Sequence, residues 1–108
     1  MSIRLILIAG LSLSMASTAA QARERTLSAS GRDVFVWRSK DAQNEGMRLI
    51  DAGVLRSNPT LVIRLISCIV PAGTRAIITD HGFATHDILV TSGPSSGCRG
   101  NVPVEFVR

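Results

Sequence analysis

Residues 68–107 read CIVPAGTRAIITDHGFATHDILVTSGPSSGCRGNVPVEFV, and this stretch decides the fold. Short runs of β-branched and apolar residues each end at Gly, Pro, Asp or Ser, which are turn-forming residues. The predicted elements alternate between turns and strands: turns at 71–73 and 80–82, strands over 74–79 and 85–91, a polar loop at 92–97 and a closing segment over 101–107. We therefore expect antiparallel β-structure in the C-terminal half of the chain.

The residues before this stretch predict one short strand and one helix. The β-prone run at 34–37 is expected to be an edge strand. Ser39 or Asp41 can cap a helix N-terminus, and small and apolar residues then recur at helical spacing up to a glycine that is typical of a helix end. A helix over 41–52 follows from this pattern, whereas residues 59–64 fit either a helix or a strand.

The same C-terminal stretch resembles a bacterial SH3-like barrel. The likeness rests on the run Cys68-Ile69-Val70, the turn Asp80-His81-Gly82 and the ending Gly100-Asn101-Val102-Pro103-Val104-Glu105-Phe106-Val107. SH3 domains commonly end in a similar segment, in which a 3₁₀ turn joins the last two strands. The stretch is also similar to a family of small exported bacterial proteins of unassigned function. The resemblance implies an α+β protein, in which one N-terminal helix packs on a small SH3-like antiparallel β-barrel with one disulfide.

The first residues have the features of a secretory signal peptide. Arg4 is followed by an apolar run from Leu5 to Met15 and then by Ala20-Gln21-Ala22, which is an A-x-A cleavage site. We expect residues 1–22 to be removed, residues 23–32 to form a flexible leader, and residues 33–108 to form a single SH3-like domain with its preceding helix. The expected location is the periplasm or the medium, with no transmembrane segment after cleavage.

Cys68 and Cys98 are the two cysteines of the chain. In an oxidising compartment such a pair predicts a disulfide, while two buried thiols and half of a metal site are the alternatives. In the SH3-like interpretation, Cys68 lies on the first barrel strand and Cys98 just before the closing segment. Because the first and last strands pair in such barrels, the bond would tie the barrel shut.

Charge and aromatic content argue against nucleic-acid binding. The chain has 12 basic and 8 acidic residues, and the basic residues are spread along the sequence rather than clustered. It contains no tyrosine, one tryptophan and three phenylalanines, and the sequence shows no aromatic cluster. Base stacking and the recognition of proline-rich peptides by SH3 domains both use such clusters. We therefore expect neither a nucleic-acid partner nor PxxP recognition.

Candidate binding residues lie near the predicted turn at 80–82, in the loop before the closing segment, and at the only tryptophan: Asp80, His81, His86, Asp87, Arg99 and Trp37. The pattern Asp-His-x₄-His-Asp has residue types that hold divalent metals. A turn aspartate followed by polar strand residues is the alternative, and the odd spacing does not require both histidines on one face. Trp37 fits a core position or an exposed binding anchor.

These observations favour an exported, non-catalytic binding module of the cell envelope that needs no cofactor. Its partner is expected to be an envelope protein or peptidoglycan, and no catalytic or metal-ligating residue is assigned. One alternative is a small metal-binding protein or hydrolase that uses His81 and His86. Another is a structural envelope or assembly protein.

Overall fold

A computed structural model describes residues 23–108, and the predicted signal peptide over 1–22 lies outside the described residues. The described part has six strands, three short helices and a 3₁₀ helix. In chain order they are β1 (Glu24–Thr26), β2 (Val34–Trp37), α1 (Lys40–Asp51), α2 (Val54–Ser57), α3 (Pro59–Ile63), β3 (Ile66–Val70), β4 (Arg75–His81), β5 (Thr85–Val90), β6 (Arg99–Pro103) and the 3₁₀ helix (Val104–Phe106).

The strands form one antiparallel sheet in the order β1-β4-β5-β6-β2-β3. Strands β4, β5 and β6 form the meander that the turn residues predicted. Strand β2 lies inside the sheet, because Trp37 pairs with Ile66 of β3 on one side and with Asn101 of β6 on the other. The expected edge position of β2 is therefore wrong, since the strands that enclose it are distant in sequence.

The main core lies on one face of this sheet. Ile88 and Val90 are buried there. Asp87, the residue before Ile88, lies on the opposite face of the strand and is exposed. The buried members of the core are all aliphatic and come from both halves of the chain: Leu27, Val34, Val36, Val70, Ala76, Ile88, Val90 and Val102.

Glu24–Thr26 form a strand of the sheet and Leu27 is buried, which corrects the expectation of a flexible leader over residues 23–32. Leu27, the one large apolar residue of this segment, is completely buried in the main core. The amides of Thr26 and Arg108 each donate to the other residue's carbonyl oxygen, both at 2.9 Å. Strand β1 therefore satisfies backbone groups of β4 and of the C-terminus that would otherwise lack a partner.

Helix α1 confirms the helix predicted over 41–52. The Oγ of Ser39 accepts a hydrogen bond from the Ala42 amide at 3.0 Å, and Gly53, with a φ of 81°, follows the helix end. Helix α3 resolves the ambiguous segment over 59–64 as a short helix that begins at a proline. The expectation of a single helix is thus incomplete, because α2 and α3 follow α1 before β3.

A second apolar cluster joins the helices to the sheet. Trp37 is buried among Val62 of α3 and Ile66 of β3, with a 2% exposed fraction. Helix α1 lies directly on its ring at Gly46, where a Cβ would overlap the indole. The burial of Trp37 fits the core position that was one of its two interpretations.

The disulfide joins Cys68 of β3 to Cys98, with the two Cα atoms 6.6 Å apart. The predicted bond is thus present, but its expected placement across a closing strand pair is wrong. Strand β2 lies between β3 and β6, and the two ends of the described chain are joined instead by the pairing of Leu27 with Val107. The 3₁₀ helix follows β6 at the position that the SH3-like resemblance implies. No helix within residues 23–108 is both long and apolar enough to span a membrane.

Replacing both Cys68 and Cys98 by serine should lower the free energy of unfolding by about 3–4 kcal/mol, because the bond closes a long loop in the unfolded chain. Urea unfolding of the oxidised protein and of the variant measures this loss. Reductant should destabilise the wild-type protein and leave the serine variant unchanged. Two alkylatable thiols in protein purified under oxidising conditions would contradict the bond.

Gly46→Ala should destabilise the protein by about 1–3 kcal/mol, because the added methyl group forces α1 away from Trp37. This loss should appear although alanine favours an isolated helix by about 1 kcal/mol. Asn44→Ala, at an exposed position of the same helix, is the matched control and should change stability by no more than about 0.5 kcal/mol. Equal effects of the two changes in thermal unfolding would contradict the close contact.

Candidate functional site

The β4–β5 hairpin separates the candidate residues into two groups. Asp80 is paired with Asp87, and His81 is paired with His86. Adjacent pairs of a hairpin point to opposite faces, so the two carboxylates lie on one face and the two imidazoles on the other. The histidines do share a face, with ring centroids 5.2 Å apart. The turn itself lies at 82–84, two residues beyond the predicted turn at 80–82, because β4 continues to His81.

This arrangement does not support the metal site proposed from the Asp-His-x₄-His-Asp pattern. A site of that kind needs its carboxylates and imidazoles around one point. Within residues 23–108, no group of three or more His, Cys, Asp and Glu side chains could hold a metal ion. Cys68 and Cys98 are used in the disulfide, which removes the interpretation of the cysteines as half of a metal site.

The carboxylate face of the hairpin opens into a cavity, which we call the polar pocket. It is half-enclosed and has a volume of about 510 Å³. Its lining comes from the β2–α1 junction, the β4–β5 hairpin and the start of β6: Arg38, Ser39, Lys40, Thr79, Asp80, Gly82, Phe83, Thr85, Asp87, Ile88, Arg99, Gly100 and Asn101. Three of the residues suggested by the sequence, namely Asp80, Asp87 and Arg99, thus meet at one site.

The pairing of Trp37 with Asn101 builds this site. It sets the end of β2 beside the start of β6, so that Arg38 and Lys40 approach the pocket from one side and Arg99 from another. Helix α1 begins at the same place, and the positive end of its dipole adds to these cations. The positive part of the pocket therefore depends on tertiary pairing and on no local sequence motif.

The three cations of the polar pocket have no acidic partner in the described part of the chain. The ion pairs found among residues 23–108 join Arg48 to Glu45 and Arg75 to Glu24, and neither pair lies at the pocket. Three positive side chains thus face the same cavity as two carboxylates. The pocket has an excess of positive charge together with strong hydrogen-bond acceptors.

Asn101 holds one of the two carboxylates in place. It is only 3% exposed, and its Nδ2 donates to Asp87 Oδ1 at 2.9 Å and to Thr85 Oγ1 at 3.1 Å. Its own Oδ1 is buried without a hydrogen-bond partner. An unsatisfied buried acceptor typically costs about 1–3 kcal/mol, and Gln43 Oε1, which does not line the pocket, also lacks a partner.

Phe83 is the most exposed large apolar side chain of the described residues. It stands at the tip of the β4–β5 hairpin on the rim of the polar pocket and is completely exposed. Sequence reasoning missed it, as it missed Arg38, Lys40 and Asn101. For Phe83 a signal was present, because an aromatic residue inside a hairpin turn cannot reach the core. For the other three no local signal marks a shared site.

The imidazole face stabilises the hairpin tip. The Gly82 amide donates to Nδ1 of His86 at 3.2 Å, which fixes that nitrogen as an acceptor. Partial burial, followed by the positive charges of His81 and Arg25, lowers the pKa of His86. The neutral form of His86 is therefore the form that holds Gly82, which lines the polar pocket from the other face of the hairpin.

A second concave surface, which we call the aromatic groove, lies beside α1 and has a volume of about 840 Å³. Phe35 and Trp37 meet there edge to face at 5.8 Å, and Phe106 and Pro103 come from the C-terminal segment. The expectation that the chain has no aromatic cluster is therefore wrong. Residues far apart in the sequence are brought together because β2 lies beside β6. Trp37 contributes mainly as a buried wall of this groove.

The chain matches no known family model, no curated protein and no solved structure. No relative therefore transfers a function or a site residue to it.

The stability of the protein should fall as the pH drops below His86's ordinary pKa of 6.5. The His86 imidazole binds a proton more readily in the unfolded chain than in the folded protein. The contribution of neutral His86 to stability is therefore complete above pH 6.5 and is lost as the pH falls toward the lower pKa of the folded protein. His86→Asn keeps an acceptor near Gly82 and cannot titrate, so it should flatten the dependence. Urea unfolding between pH 7.5 and 5 measures it. An equal slope in the variant would contradict the role of His86.

Proposed function

We propose that this protein is an exported, non-catalytic binding module of the cell envelope that holds an anionic, hydrogen-bond-donating ligand in the polar pocket. The observation that carries the proposal is the set of three cations, without acidic partners in the described chain, around a cavity that also holds two carboxylates. The proposed ligand belongs to an envelope component such as peptidoglycan or an attached polysaccharide.

The charge pattern favours a ligand over a purely structural role. Arg38, Lys40 and Arg99 are exposed, yet none of them forms an ion pair among residues 23–108. Arg38, Lys40 and Arg99 border one cavity. The buried Nδ2 of Asn101 holds the Asp87 carboxylate in the lining of the same cavity. A ligand with both an anionic group and hydrogen-bond donors would complement this lining.

The placement of the remaining reactive residues favours binding over catalysis. His81 and His86 lie on the hairpin face opposite to Asp80 and Asp87, so a hydrolase built from these four residues lacks a common centre. The disulfide supports export, because such bonds persist in oxidising compartments and are rare in the cytosol. The predicted signal peptide is independent support for the same location.

The aromatic groove favours a second candidate function, the binding of an extended peptide. Phe35, Phe106 and Pro103 line it, and aromatic-lined grooves are surfaces that bind extended proline-rich peptides. Phe106→Ala should then abolish the capture of an extended proline-containing peptide and leave binding at the polar pocket unchanged. Loss at both sites would show that the variant is damaged as a whole.

Co-sedimentation with isolated peptidoglycan sacculi tests the primary proposal, with sacculi carrying or lacking their attached anionic polysaccharides. Arg99→Gln should lower the apparent affinity about tenfold, since a hydrogen bond to a charged group contributes about 1.5–3 kcal/mol. Arg56→Gln removes the same charge from exposed α2, outside the pocket, and should bind as the wild type does. Absence of binding, or equal losses in both variants, would contradict a ligand site at the polar pocket. Release of soluble fragments would contradict a non-catalytic module.

A further inference from the structure

We infer that the polar pocket recognises a carboxylated sugar unit of an acidic glycan. The carboxylate of that unit would lie among Arg38, Lys40 and Arg99, and its hydroxyls would donate to Asp80 and Asp87. This inference rests on the proposed function and names the ligand class for the same pocket.

The cationic side of the pocket selects an anionic group. Arg38 and Arg99 carry planar guanidinium groups that match the two oxygens of a carboxylate, and Lys40 adds a mobile point charge. Arg38 and Lys40 lie at the start of the twelve-residue helix α1, where the helix dipole also favours an anion. A neutral sugar would leave these charges without a counterion when it displaced water from the pocket.

The acidic side of the pocket selects hydrogen-bond donors. Asp80 and Asp87 are directly opposite each other on the hairpin, and ionised carboxylates only accept hydrogen bonds. A phosphate or sulfate ion offers no comparable set of donors to these two acceptors. Sugar hydroxyls supply several donors at short spacing, which satisfies the acceptors while the carboxylate of the same sugar meets the cations.

The rigidity of the acidic side is the second, independent sign of a ligand. Asn101 lines the pocket and is almost fully buried. Its Nδ2 donates hydrogen bonds to Asp87 and Thr85, and its Oδ1 has no hydrogen-bond partner. The hydrogen bond from Asn101 holds the Asp87 carboxylate in one orientation. Such preorganisation lowers the entropy lost when a ligand binds.

Phe83 and the size of the cavity distinguish a sugar from an amino acid. A free amino acid also has a carboxylate and donors, yet it would fill only a small part of about 510 Å³. The exposed Phe83 ring on the rim offers a flat apolar surface. The C–H face of a pyranose ring can stack on it while the hydroxyl edges turn toward the carboxylates.

Calorimetric titration of the full mature protein with a trimer of galacturonic acid tests the inference. The neutral galactose trimer, inorganic phosphate and a glutamate dipeptide are the comparison probes. We expect the uronate trimer to bind at least tenfold more tightly than each of them. Arg99→Gln, Asp80→Asn and Phe83→Ala should each weaken it about tenfold, and Arg56→Gln should not. Phe83 is fully exposed, so its loss leaves the core intact.

The outcomes separate this inference from the proposed function. If phosphate or the dipeptide binds in preference to the uronate trimer and Arg99→Gln abolishes that binding, the ligand class is wrong and the binding module remains. If no probe binds and the sedimentation with sacculi is also insensitive to Arg99→Gln, both proposals fail. If Arg56→Gln weakens the binding of the uronate trimer as much as Arg99→Gln does, the trimer is attracted only by the overall positive charge of the protein. That result would overturn the inference.

Discussion

The pairing of β2 with β6 at Trp37 and Asn101 joins the two halves of the chain into one sheet. It places a strand from the first half of the chain inside the sheet formed by the second half. The indole of Trp37 is buried in that position, and α1 can lie over it only because Gly46 has no side chain. The apolar cluster around this indole, which includes Val62 of α3, joins the helices to the sheet.

Both concave surfaces of the molecule follow from that pairing. On one side it brings the β2–α1 junction to Arg99 and the hairpin carboxylates, which forms the polar pocket. On the other side it brings Phe35 to Pro103 and Phe106, which forms the aromatic groove. The disulfide between Cys68 and Cys98 stabilises the same region, because it links β3, the neighbour of β2, to the residue before β6.

The sequence was sufficient for features that depend on local chemistry. Turn residues and β-branched runs predicted the meander, Ser39 or Asp41 predicted the start of α1, and the cysteine pair predicted the disulfide. It was insufficient where distant segments decide the outcome. Leu27 is the one large apolar residue of the polar segment that contains β1, and it packs in the main core. Asn101 becomes a site residue only because its strand lies beside that of Asp87. No periodicity or spacing reports such pairings.

Backbone amide chemical shifts, followed by NMR while the uronate trimer is added, show where on the protein the ligand binds. Binding in the polar pocket predicts shifts that saturate together at residues 38–40, 80–83 and 99–101, which adjoin the cavity from three elements. Shifts confined to residues 29–35 and 103–106 would move the ligand to the aromatic groove. That result, or the absence of saturable shifts at residues 38–40, would contradict a ligand site built by the pairing of β2 with β6.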